Sequence, residues 1–101
     1  MNDWKPPPTS LHALVRLLTV IEEFTRLHGR GPYTRELLSQ LRSWGYGEGL
    51  LSLAWGLGLV ERYDDYCNGR GGRVCRFNRL SEHGREFLRS YSELLRLLSQ
   101  Q

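Results

Sequence analysis

One continuous stretch, residues 33–81, constrains the fold of this chain more than any other part. It contains two short segments with helical apolar spacing and, between them, a glycine-marked turn. Two segments rich in β-branched and aromatic residues follow, Val60 to Tyr66 and Arg73 to Leu80. They are joined by Asn68-Gly69-Arg70-Gly71-Gly72, which is a strong hairpin-turn signal. This order predicts a helix, a turn, a second helix and a β-hairpin.

Helical periodicity extends the pattern on both sides, so that four helices are predicted, at 11–28, 35–42, 48–57 and 82–98. Thr34 is the expected N-cap of the second helix and Ser81 that of the last, since both hydroxyls can accept from backbone N–H groups. In the third helix, the expected buried stripe is Leu50, Leu51, Ala54 and Leu57. The predicted fold class is therefore mainly α with a small β-hairpin (α+β), a three-helix core followed by a C-terminal helix.

The length of 101 residues fits one domain, expected at 11–98 and preceded by a proline-rich arm at 1–10. A run of about 18 apolar residues is absent from the sequence and the N-terminus lacks an apolar signal-like core, so we expect a cytoplasmic protein. The net charge is +3, and all basic residues except Lys5 are arginines. Arginine suits phosphate contacts, although genomic composition bias or a thermophilic source explains such usage equally well.

Cys67 and Cys75 flank the predicted hairpin turn. A seven-residue loop would make them direct cross-strand neighbours that can form a disulfide, whereas a five-residue loop, Asn68 to Gly72, makes Cys75 face Asp65 instead. Free thiols are the ordinary state in a cytosolic protein, and a disulfide there is mainly a feature of hyperthermophiles. Metal binding or redox sensing is the third alternative, although two cysteines alone make a poor zinc site.

The sequence gives little support for catalysis. Asp64 and Asp65 are consecutive, so in a strand their carboxylates point to opposite sides and cannot act as a pair. The three histidines are far apart in sequence, and a Gly-rich phosphate loop after a strand is absent from the sequence. We therefore expect a protein that is not an enzyme and has neither a cofactor nor a metal site.

The segment TRELLSQL, the GLVER motif before the first strand and the LSEHGREFL start of the last helix together resemble winged-helix transcription regulators of the MarR and PadR kind. The resemblance covers residues 11–98. It implies a winged helix-turn-helix fold, in which the hairpin is the wing. It also implies a homodimer that binds double-stranded DNA and regulates transcription. A protein-interaction role is the alternative, since function is not set by fold.

Carried over to this sequence, the resemblance implies specific DNA contacts. Thr34 and Arg35, at the start of the second helix, would contact phosphates. Arg70 and Arg73 at the wing tip would reach backbone or minor groove, with Arg76 and Arg79 further along the same hairpin. From Arg70 to Arg79 the sequence has four arginines and no acidic residue. The third helix would face the major groove with its expected exposed positions, namely Glu48, Gly49, Ser52, Leu53, Trp55 and Gly56.

The third helix departs from the family pattern because it has no Lys, Arg, Asn or Gln, the side chains that read base edges most often. Leu53 and Trp55 are expected on its outer face, where an exposed apolar pair more often marks a protein contact. An adaptor that docks through Leu53 and Trp55 is therefore the alternative function. Trp55 is also compatible with a place in the core.

The last helix carries apolar residues at alternating three- and four-residue spacing, the pattern of a helix–helix seam. The seam is short, and it can pack on the first helix or on a second copy of the chain. We expect a dimer interface formed by Leu88, Tyr91, Leu95 and Leu98.

Overall fold

The computed structural model describes residues 11–67 and 71–99. The predicted arm of residues 1–10 and the predicted DNA contact Arg70 lie outside the described residues. Within the described ranges the chain is α+β, as predicted, with four helices and an antiparallel two-stranded sheet. No helix of these ranges is long and apolar enough to cross a membrane. The elements are α1 (Leu11–His28), α2 (Thr34–Ser43), α3 (Glu48–Gly56), β1 (Val60–Tyr66), β2 (Val74–Leu80) and α4 (Glu82–Leu98).

The bounds of α1, β1 and α4 agree with the sequence prediction, whereas two helix ends differ from it. α2 begins one residue early, with Tyr33 as its N-cap, so the prediction that Thr34 caps this helix is wrong. The Glu36 carboxylate accepts a hydrogen bond from the Tyr33 backbone N–H at 2.7 Å. α3 ends at Gly56, and Leu57 is half exposed rather than part of the buried stripe. Gly58 follows with a φ of 73°, which reverses the chain toward β1.

The core forms where α1 crosses the other elements. α1 is the central element because its apolar residues recur at helical spacing and face α3, α4 and β2. Burial of each large aliphatic side chain stabilises the fold by about 1.5–3 kcal/mol. The core residues are Ala13, Leu14, Leu17, Leu18, Ile21, Leu37, Leu41, Leu50, Leu51, Ala54, Leu59, Val60 and Leu80.

The hairpin pairs β1 with β2 from Val60↔Leu80 to Tyr66↔Val74. Since side chains alternate along a strand, every second cross-strand pair lies on the same side. One side faces α3, and we call it the α3 side. The opposite side packs against Tyr33, whose backbone forms a bridge with Phe77. Asp64 and Asp65 lie on opposite sides of the hairpin, as predicted.

Two glycines allow the helices to approach the hairpin closely. A Cβ at Gly31 would lie 1.7 Å from the Asn78 carbonyl oxygen, and one at Gly84 would lie 2.1 Å from the Leu59 carbonyl oxygen. A side chain at either position would force the backbones apart. The Ser81 hydroxyl adds to the second contact, because it caps α4 by accepting from the Gly84 N–H at 2.9 Å.

Cys67 and Cys75 form a disulfide, with their Cα atoms 5.0 Å apart. The register is that of the five-residue loop, because Cys75 faces Asp65 and the Cys67 N–H donates to the Arg73 carbonyl at 3.0 Å. The expectation that this register prevents a disulfide is therefore wrong. The cysteines lie diagonally on the same side of the hairpin, and diagonal neighbours are close enough to be linked.

This disulfide closes a short loop, so its reduction should lower the free energy of unfolding by about 2–3 kcal/mol. Urea denaturation with and without reductant measures the change. The double variant Cys67→Ser, Cys75→Ser is the control, and its midpoint should not respond to reductant. If the oxidised native protein reacts with two equivalents of a thiol reagent, the disulfide assignment is wrong.

Candidate functional site

Asn78 in β2 is fully buried and joins three elements through hydrogen bonds. Its side-chain Nδ2 donates to the Thr34 Oγ1 at 3.0 Å and to the Pro32 carbonyl at 3.3 Å. Its Oδ1 accepts from the Trp55 Nε1 at 3.0 Å. The Asn78 backbone N–H also donates to Pro32, at 2.9 Å. These bonds fix the start of α2 and the end of α3 against the hairpin, and they satisfy both polar atoms of the buried side chain.

Trp55 is half-buried, and its ring lies under the guanidinium of Arg62 at 4.1 Å. Leu53 is also half-buried and packs against the core. The prediction that both side chains stand exposed on the outer face of α3 is therefore wrong. The alternative that Trp55 belongs with the core is closer to the structure, since the Asn78 bond holds the indole edge inward. Most of the apolar surface expected for adaptor docking is thus covered within the chain.

The outer face of α3 consists of small residues and one acid. Glu48, Gly49, Ser52 and Gly56 are exposed, as predicted for these four positions. A Cβ at Gly49 or Gly56 would meet nothing within 4 Å among the described atoms. This face therefore allows close approach by a partner surface but offers few side-chain donors for base edges.

An open groove, which we call the arginine groove, lies between the start of α2, α3 and the α3 side of the hairpin. It comprises two adjoining cavities of about 490 Å³ and about 270 Å³. They share Thr34, Val74, Cys75 and Arg76. The first also contacts Trp55, Arg62 and Asp64, and the second Tyr33, Arg35 and Arg73. The structure thus brings the predicted residues Thr34, Arg35, Trp55, Arg73 and Arg76 to one place.

The hairpin arginines are opposed in space by carboxylates of the neighbouring strand. Arg76 pairs with Asp64 at 3.2 Å, and Arg79 pairs with Glu61 at 3.1 Å. The segment without acidic residues in the sequence is therefore not a segment without acidic neighbours in the fold. Both pairs are more than half exposed or close to it, so each contributes only about 0–1 kcal/mol and can exchange partners.

Arg35 and Arg73 differ from Arg76, because neither forms an ion pair with another described residue. Both side chains are exposed. Arg35 follows the first residue of α2, where the unpaired backbone N–H groups of a helix start also favour an anion. These two guanidinium groups are the most available positive charges of the arginine groove.

Arg79 lies on the other side of the hairpin and outside the groove. Its guanidinium sits 4.7 Å from the ring centre of Tyr63, which stacks on Phe77. The Tyr63 hydroxyl accepts from the Gly31 N–H at 3.1 Å, and Tyr33 packs on Phe77 as well. This side of the hairpin is an aromatic contact with the loop before α2, and its role is structural.

The predicted dimer residues of α4 divide into two groups. Leu88 and Tyr91 are half-buried, and Leu88 packs against the core. Leu95 and Leu98 are 48% and 57% exposed, as the apolar stripe continues past the end of the body. Leu95 and Tyr91 border a cavity of about 450 Å³ with the first turns of α1. Arg96 donates from Nε to Glu93 at 3.0 Å, and this bond lowers the pKa of the Glu93 carboxyl.

Three residues of the site were missed at the sequence level. Arg62 and Asp64 were not assigned to the groove because their side of the strand depends on the register, which in turn depends on loop length. Asn78 had a visible signal: it shares the parity of the core residue Leu80 while being polar. Among the described residues, no group of three or more His, Cys, Asp or Glu side chains is placed to hold a metal ion.

The chain matches no protein-family model, no curated protein and no solved structure. Its site is therefore interpreted from the residues that form it. The arginine groove and the buried Asn78 network are the features on which that interpretation depends.

The Trp55–Asn78 hydrogen bond should appear as coupling in a double-mutant cycle. We expect Trp55→Phe and Asn78→Ala each to lower the free energy of unfolding by about 1–3 kcal/mol, because each leaves a partner unsatisfied. The double variant should lose about 0.5–3 kcal/mol less than the sum. Urea denaturation measures all four proteins. Trp44→Phe is the matched control, and it should add to Asn78→Ala without coupling; equal additivity for Trp55 would contradict the network.

Proposed function

We propose that this chain is a winged helix-turn-helix protein that binds duplex DNA as a homodimer and regulates transcription. In this assignment α2 and α3 are the helix-turn-helix and the β1–β2 hairpin is the wing, which agrees with the element order α1–α2–α3–β1–β2–α4. The observation that carries the proposal is the convergence of four arginines on one groove. Arg35, Arg62, Arg73 and Arg76 line it, with Asp64 as the opposing charge.

Binding in this proposal is directed at the DNA backbone. Arg35 and Arg73 donate to phosphates, helped by the backbone N–H groups at the start of α2. Arginine is suited to this role because its planar fork can donate two parallel hydrogen bonds to one phosphate. Each phosphate contact releases counterions, so the affinity falls steeply as salt is raised.

Asp64 limits the strength of this binding. A phosphate competes with the Asp64 carboxylate for the guanidinium of Arg76, and the exposed ion pair is weak enough to open. The carboxylate then remains in the groove and repels the bound anion. The hairpin is thereby a moderate rather than a strong electrostatic contact.

The small outer face of α3 approaches the duplex closely and contributes shape more than sequence readout. Gly49, Ser52 and Gly56 provide little hydrogen bonding to base edges, and Glu48 repels phosphates. The supported mode is therefore weakly sequence-specific DNA binding.

The homodimer is supported by the exposed end of α4. The same stripe that packs on the body through Leu88 continues as Leu95 and Leu98, next to the further exposed residues Leu94 and Leu97. An apolar helical stripe of this length is covered by a second helix more often than by solvent. Two copies related by a two-fold axis also present two arginine grooves to one duplex.

Replacement of Arg35 and Arg73 with alanine should weaken binding to all duplex sequences about equally, because phosphate contacts carry no sequence information. The slope of log affinity against log salt concentration should fall by about two, one unit for each lost contact. Fluorescence anisotropy with random-sequence duplexes over a salt series gives both values. Arg42→Ala, at the opposite end of α2, is the control for net charge and should leave the slope unchanged.

A second pair of variants controls the sign of the effect in the same assay. Asp64→Asn should strengthen binding because it removes the carboxylate that competes for Arg76. Asp65→Asn changes the net charge identically but on the other side of the hairpin, and should have a smaller effect. If the two variants behave alike, the groove is not the binding site.

The double variant Leu95→Glu, Leu98→Glu should convert the homodimer to a monomer of 11.8 kDa, because charges in an apolar interface cannot be solvated. Light scattering coupled to gel filtration measures the mass. Leu27→Glu, an equally exposed leucine at the end of α1, should remain dimeric. A wild-type protein that is monomeric at micromolar concentration would refute the interface.

A further inference from the structure

The cross-strand pairs on the α3 side of the hairpin change in character from its base to its free end. Val60↔Leu80 is buried in the core, and Asn78 and Arg62 follow with the Trp55 contacts. Next comes the Asp64–Arg76 ion pair. The last pair, Tyr66↔Val74, is apolar again although it lies furthest from the core. We call Tyr66 and Val74 the outer apolar pair.

The outer apolar pair is exposed, with Tyr66 at 45% and Val74 at 56%. Packing between an aromatic and a β-branched residue stabilises a hairpin. This end of the hairpin is, however, already fastened on the opposite side by the Cys67–Cys75 disulfide. Hairpin stability therefore does not account for two apolar side chains at a position where polar ones are the rule for a solvated strand end.

The charges around the outer apolar pair point to what covers it. Arg73 precedes Val74 in the chain, and Arg76 is the next residue of β2 on the same side. Val74 itself lines both cavities of the arginine groove. An occupant of this surface must therefore present negative charges with apolar surface between them. The backbone of duplex DNA does so, because each phosphate is separated from the next by a deoxyribose whose edge is largely C–H.

We propose that Tyr66 and Val74 pack against the deoxyribose edge of a DNA duplex whose phosphates are held by Arg73 and Arg76. This inference rests on the proposed DNA-binding function and adds a component to it that salt does not weaken. The arginines release counterions and give the affinity its salt dependence. The outer apolar pair removes apolar surface from water and contributes equally at low and high salt.

The test compares affinities for a random-sequence duplex over a salt series. Tyr66→Thr and Val74→Thr both keep β-branched residues at strand positions, so the hairpin should still form. Tyr66→Thr should weaken binding about tenfold at every salt concentration, with the salt slope unchanged. Val74→Thr should weaken it about threefold. Tyr66→Phe retains the ring and should bind like the wild type.

Leu27→Thr controls for the loss of an exposed apolar side chain elsewhere and should bind like the wild type. Thermal unfolding and thiol titration of every variant verify that the hairpin and its disulfide are intact. If Tyr66→Thr and Val74→Thr bind like the wild type, or if they lower the salt slope, the inference is overturned while the proposed function stands. If the wild-type protein does not bind duplex DNA at low salt, the proposed function fails and the inference fails with it.

Discussion

The buried side chain of Asn78 is the point at which the parts of the site are joined. It bonds to Thr34 at the start of α2, to Trp55 at the end of α3 and to the Pro32 carbonyl. In a fully buried position these bonds are strong, and loss of one leaves its partner unsatisfied. The arginine groove lies directly beside this network. Its width and the positions of its side chains therefore depend on a polar contact inside the core rather than on the surface residues themselves.

The two sides of the hairpin perform different tasks because strand side chains alternate. The side toward Tyr33 carries Phe77 and the disulfide, and it attaches the hairpin to the body. The α3 side carries the groove residues, among which Asp64 opposes Arg76. In the proposed function the first side supplies rigidity, which lowers the entropy lost on binding. The second side combines charge with exposed apolar surface, and the opposing carboxylate keeps the electrostatic part moderate.

Much of the fold could be predicted from local pattern. The bounds of α1 and α4 follow from apolar spacing and from the capping residue Ser81, and those of β1 follow from its composition and the turn after it. These signals are local, and the core agrees with them. The site was less accessible to prediction. Trp55 was expected on the outer face of α3 because a helical pattern does not reveal a hydrogen-bond partner 23 residues away.

The sequence by itself determined the order of the elements, the core positions of the long helices and the gathering of arginines near the hairpin. Tertiary structure decided which of those arginines remain available. Pairing of Arg76 with Asp64 and of Arg79 with Glu61 depends on the hairpin register, and the availability of Arg35 and Arg73 depends on what lies beside them. Charge in a sequence is additive, but charge on a surface is set by neighbours that only folding brings together.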